Sequence, residues 1–132
     1  MLGTGIYPIT IAEMLNYTRE ADQYLDFEEH ERLKTFLALH PESGDILPGT
    51  GGVRVQQWPI KKQPGRQAKI VYFFRDLNMP LYMLALYKKG ERIPLDFDWR
   101  DEIKGLVDEL VAQHSERWAL VIRQQRGGSD LA

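Results

Sequence analysis

The chain has 132 residues, 43% of them hydrophobic, and a formal net charge of -2, a length that suits one domain around a single core. It holds no cysteine, which excludes disulfides and thiolate metal sites and gives no sign of an oxidising compartment. No apolar run approaches the roughly 20 residues that span a bilayer, and the start MLGTGIYPIT lacks the basic and then apolar stretch of a secretory signal, so a soluble cytoplasmic protein with no membrane partner is expected.

YPITIAEM, residues 7–14, alternates like a short strand, with Pro8 tolerable at its start or on an edge. NYTREADQYL reads as a short helix with Asn16 as its cap. Asp26 opens a second helix, and Glu29 three residues on completes a capping-box-like pair. Leu33, Phe36, Leu37 and His40 then fall on one helical face, and Pro41 and Gly44 stop the helix.

A glycine-rich loop, GDILPGTGG, leads into VRVQQWPI, a strand by alternation that Pro59 pushes toward an edge. KKQPGRQ is a basic loop. AKIVYFFR, residues 68–75, is β-branched and aromatic nearly throughout, which predicts a central strand covered on both faces. DLNMP turns the chain and LYMLALYKK returns as its hairpin partner. A final helix starts near Asp96 or Asp98 and carries the stripe Ile103, Leu106, Val107, Leu110 and Val111. Trp118, Val121 and Ile122 extend it, or a separate helix restarts at Ser115; residues 123–132 are expected to fray as a disordered tail. The order β-α-α-β-β-β-α describes one small α+β domain over residues 1–132, with a mainly antiparallel twisted sheet packed against helices.

The net charge hides a strong asymmetry. Residues 1–52 carry three basic against nine acidic residues, whereas residues 53–92 carry nine basic residues against only Asp76 and Glu91. Segregated basic charge is the footprint of a polyanion-binding surface; acidic helices pairing with a basic sheet would also produce it.

The glycine loop is no phosphate-cradling loop, because it lacks a Gly-Lys-Ser/Thr ending and runs from helix to strand rather than strand to helix. Its glycines are expected to supply positive-φ turns and close packing. His30, His40 and His114 show no ligand spacing, so no metal or other cofactor is expected. Ser43, Ser115 and Ser129 lack a histidine-carboxylate context for hydrolysis. What remains is a basic and aromatic sheet in which Arg54, Lys69, Lys88 and Lys89 would neutralise phosphates while Trp58, Tyr72, Tyr82 and Tyr87 would stack on bases or fill the core.

HPESGDILPGTGGVRVQQW, then AKIVYFF, then LALYKKGE resembles toxins of the RelE/HigB type, small ribosome-associated endonucleases of bacterial toxin–antitoxin operons within the RelE/ParE superfamily. The likeness in order and spacing covers residues 13 to about 112 and implies a RelE-like fold. It also implies cleavage of messenger RNA without metal, by attack of a 2′-hydroxyl on the adjacent phosphate. Carried over by position, Arg54 matches the basic residue after the double glycine, Lys69 stands where the central strand usually has arginine, and Tyr87, Lys89 and Glu91 match a Y-K-E segment.

The resemblance then assigns catalysis to Arg54, Lys69, Tyr87, Lys89 and Glu91. Arg54 and Lys69 would hold the scissile phosphate, Lys69 or Lys89 would act as base, and Tyr87 or a second cation would serve as acid, or Tyr87 would stack on a base. RNA would be gripped by Lys61, Lys62, Arg66, Lys88 and Trp58. The implied partners are an antitoxin of helix-turn-helix type, messenger RNA and the ribosome. Val55 replaces a second basic residue, and the C-terminal extension exceeds the usual length. The alternative is a non-catalytic superfamily module that binds an antitoxin, nucleic acid or a protein target such as gyrase.

Overall fold

The computed structural model describes residues 9–61, 63–88 and 90–131, with side chains as far as Ser115. The strand expected over residues 7–14 is shorter, β1 (Ile11–Glu13), and α1 (Leu15–Tyr24) follows directly. Met14, not Asn16, is the N-cap of α1, with no side-chain cap bond. The cap of α2 (Phe27–Leu39) is the expected one, Asp26 accepting from the Glu29 N–H at 2.8 Å. Glu29 does not return the bond as a capping box would. Its carboxylate turns to the sheet, accepting from the Trp58 indole at 2.7 Å and pairing with Arg32. His40 closes α2 as its C-cap.

A fifth strand went unread in the sequence: β2 (Asp45–Ile46), two residues inside the glycine loop, paired antiparallel with β3 (Val53–Pro59). Two residues are too few for any alternation to register. β4 (Gln67–Phe73) and β5 (Leu81–Lys88) complete the sheet. Its order is β1-β5-β4-β3-β2, with β1 parallel to β5 and every other pairing antiparallel. Among the described residues this is a small α+β fold of three helices and an open, mixed five-stranded sheet. The third helix, α3 (Phe97–Leu131), begins between the two expected starts, with the Asp96 carboxylate accepting the Trp99 N–H at 2.9 Å. It is one helix with no restart at Ser115, and its backbone continues through residues 123–131.

The sheet is the middle of three layers. Tyr17, Ala21, Leu33 and Leu37 of α1 and α2 pack with Ile70, Tyr72, Leu81 and Met83 on one face. Val107 and Leu110 of α3 pack with Val53, Val71, Phe73 and Leu84 on the other. β4 is covered on both sides, as its composition requires: Ile70, Val71 and Tyr72 are all fully buried. A register shift lets Val71 face Ala85 while Tyr72 faces Met83, leaving Leu84 as the extra residue of a bulge. One inserted residue reverses the side-chain alternation beyond it. The bulge therefore keeps Met83 on the α1 face while turning Tyr87 toward α3.

Candidate nucleic-acid interface

Register sorts the expected site residues into two groups. Gln57, Lys69 and Tyr87 lie directly across from one another on β3, β4 and β5. They share the α3 side with Val71 and Tyr82, and side chains so opposed on neighbouring strands stand roughly 5 Å apart. Trp58, Ala68 and Lys88 form the adjoining row, which faces α1 and α2.

Arg54 belongs to that second face. It pairs with Tyr72 in the register, and its guanidinium donates to the carbonyls of Glu42 at 3.0 Å and Gly44 at 2.8 Å. The Glu42 carboxylate lies 3.8 Å away. The expectation that Arg54 and Lys69 clamp one phosphate is therefore corrected: they occupy opposite faces, and Arg54 spends its donors on the segment that follows α2. Arg54→Ala should lower stability by roughly 1–3 kcal/mol, the usual worth of hydrogen bonds to a charged group, as a reduced urea midpoint at unchanged slope. An unchanged midpoint would contradict this structural role.

Trp58 is corrected in the same way. Its indole N–H is held by Glu29 and its ring meets Phe36 at 5.5 Å between centroids, so it serves the α2 interface rather than a base-stacking surface. Lys88 extends over the Tyr24 ring, 5.8 Å from its centroid, on the face away from Lys69. Tyr72 is core: its hydroxyl donates to the Pro41 carbonyl and accepts the Gly44 N–H, each at 2.9 Å.

Lys69 is the basic residue this placement favours. It is half-buried on β4, and among the described residues its ammonium has neither ion pair nor hydrogen bond. With Gln57, Gln67 and Gly65 it lines a cavity of about 390 Å³. Lys61 and Arg66 are exposed on the β3–β4 loop, which closes through Ile60 and Arg66 at 3.0 Å. Lys62 and Lys89 lie outside the described residues.

Tyr87 is half-buried at the end of β5. Burial pushes its phenol above the ordinary value, a hydrogen bond from the Trp99 side chain opposes this, and the Glu91 carboxylate adds to the rise. Glu91 and Tyr87 also share a second cavity, of about 260 Å³, with Arg19 of α1. One Glu91 oxygen accepts the Lys88 N–H at 3.0 Å, which holds the carboxylate beside the strand end.

The structure thus sets Lys69 opposite Tyr87, with Glu91 beside Tyr87, and turns Arg54, Trp58 and Lys88 to the other face of the sheet. Gln57, Gln67 and Trp99 were missed in the sequence. Gln57 was within reach, because Val53 and Val55 set the parity that carries it to the α3 side. Among the described residues no cluster of histidine, aspartate and glutamate side chains is arranged to hold a metal ion, and no helix is long and apolar enough to cross a membrane. No protein-family model matches the chain.

Proposed function

We propose that the chain is an RNA endonuclease of the RelE/HigB toxin type, with a RelE-like fold, acting on messenger RNA at the ribosome in the cytoplasm and neutralised by a cognate antitoxin. The observation that carries this reading is Lys69, a half-buried cation without a partner among the described residues and registered opposite Tyr87. In the reaction, the 2′-oxygen attacks the adjacent phosphorus and its proton passes to the Glu91 carboxylate. The Lys69 ammonium faces the non-bridging oxygens as their charge grows. The bond from phosphorus to the 5′-oxygen breaks, and the Tyr87 phenol supplies the proton that this oxygen takes up. The products are a 2′,3′-cyclic phosphate and a free 5′-hydroxyl. Lys61 and Arg66 bind flanking phosphates.

The test is induction in bacteria with mapping of new transcript ends and their chemistry. Growth arrest with cyclic-phosphate ends supports the endonuclease; intact transcripts beside folded, soluble protein contradict it. The pH profile carries a second signature. A phenol that acts as acid must be protonated, and burial raises its pKa above the ordinary value near 10. Cleavage should therefore show no alkaline loss from this group until the pH passes about 10. A decline centred two units lower would assign the acid to another group.

One observation favours the second reading, a non-catalytic binding module of the same superfamily. With Arg54 turned to the opposite face, Lys69 is the one described cation in the Gln57–Lys69–Tyr87 row. A surface of that kind can bind a polyanion without cleaving it, which is the outcome intact transcripts would indicate.

A further inference from the structure

A further cavity lies away from Lys69, at the other end of β4. It measures about 530 Å³ and is bounded by the glycine loop, the end of β4 and the middle of α3, a volume in the range of small-molecule sites. Gly51 and Gly52 line it, with φ of 81° and 113°. Among the described residues their backbone N–H groups have no hydrogen-bond partner. Both glycines line the groove and neither carries a side chain that would cover its backbone there. Arg75 stands on the same wall. Its nearest acidic group is the adjacent Asp76, at 3.7 Å, and its side chain is 51% exposed, so much of the guanidinium fork is free. Phe73, Val107 and Val111 make the remaining surface apolar. Among the described residues the one carboxylate on the lining, Asp108, is paired with Lys104 at 3.3 Å.

We infer that this groove binds a small organic anion, a phosphate ester or carboxylate on an apolar body. The anionic head sits against Arg75 and the Gly51 and Gly52 amides, and the body lies over Phe73, Val107 and Val111. Arginine offers a planar pair of donors that matches either head group, and backbone amides left without partners in a concave loop add to it. The glycine loop then has a second use beyond feeding the chain into β3. This site is separate from the RNA surface and does not depend on it.

The experiment titrates the full chain with phenyl phosphate, benzoate, inorganic phosphate and neutral benzyl alcohol, following the Gly51 and Gly52 amide signals by NMR. Saturable shifts at both glycines are expected with the two aromatic anions, and their relative affinity identifies the preferred head group. Binding of inorganic phosphate should be about tenfold weaker than that of phenyl phosphate, because it buries no apolar surface. Arg75→Gln, at an exposed position that leaves the core intact, should weaken phenyl phosphate about tenfold or more. Arg92→Gln, an exposed arginine outside the groove, should leave it unchanged. Shifts that fail to saturate, equal binding by inorganic phosphate or benzyl alcohol, or an Arg75→Gln variant that binds as tightly as the wild type would each overturn the assignment.

Discussion

Tyr87→Phe should lower the cleavage rate by about 10²-fold or more while leaving the fold intact, because it removes one hydroxyl at the end of β5 and, with it, only the bond from the Trp99 side chain. A positioned proton donor is worth roughly 10²–10⁴-fold to such a reaction. The ring remains, so its packing with the α3-side cluster and any stacking on RNA persist. That separates the two roles open to this tyrosine: a stacking ring keeps its function in phenylalanine, whereas an acid does not. Lys69→Ala should cost as much, through loss of the charge facing the phosphorane oxygens, and its binding of RNA should weaken as well. Rates of transcript cleavage, compared at equal amounts of folded protein, decide the matter. A Tyr87→Phe protein that cleaves at the wild-type rate would remove the acid from the proposal.

Gly44→Ala should be the most disruptive small change in the glycine loop. A Cβ at this position would stand 2.8 Å from the Tyr72 hydroxyl and 2.8 Å from the Val55 carbonyl oxygen, the latter being backbone. Neither neighbour has an easy retreat. Tyr72 is fully buried and its hydroxyl is bound on both sides, to Pro41 and to the Gly44 N–H itself. Overpacking of this kind costs roughly 1–3 kcal/mol, and breaking the Tyr72 bonds leaves buried polar groups at a further cost of about 1–3 kcal/mol. The expected result is a clear fall in the urea midpoint, larger than that of Arg54→Ala. A midpoint within error of the wild type would mean that the loop relaxes freely and that the Tyr72 anchor is unimportant.

Much of the fold was legible because the sequence patterns match the periods of the elements. The cap at Asp26, the α3 stripe and the doubly covered β4 each follow from side chains within a single element. The site was legible only in part, because it depends on relations between elements. Alternation places Arg54 and Trp58 together and opposite Gln57, yet whether Lys69 joins one face or the other depends on the β3–β4 register. No residue of either strand announces that register. The bulge at Leu84 is equally silent in LYMLALYKK, although it decides which way Tyr87 points. Position-by-position resemblance therefore selected Lys69 and Tyr87, which register opposite each other, Glu91, which lies beside Tyr87, and Arg54, which faces the other way. The glycine loop was read correctly as turn chemistry, while the cavity it lines arises only when α3 packs beside it.

The central claim is that chemistry belongs to the α3 face at Lys69 and not to Arg54. Its most direct test is end-mapping of transcripts in cells expressing the wild type, Lys69→Ala or Arg54→Ala, normalised to the folded protein in each. Loss of the new ends in Lys69→Ala, with the same ends retained per folded molecule in Arg54→Ala, is the result this account predicts. Cleavage that survives Lys69→Ala but disappears in folded Arg54→Ala would contradict it and move the site to the opposite face of the sheet.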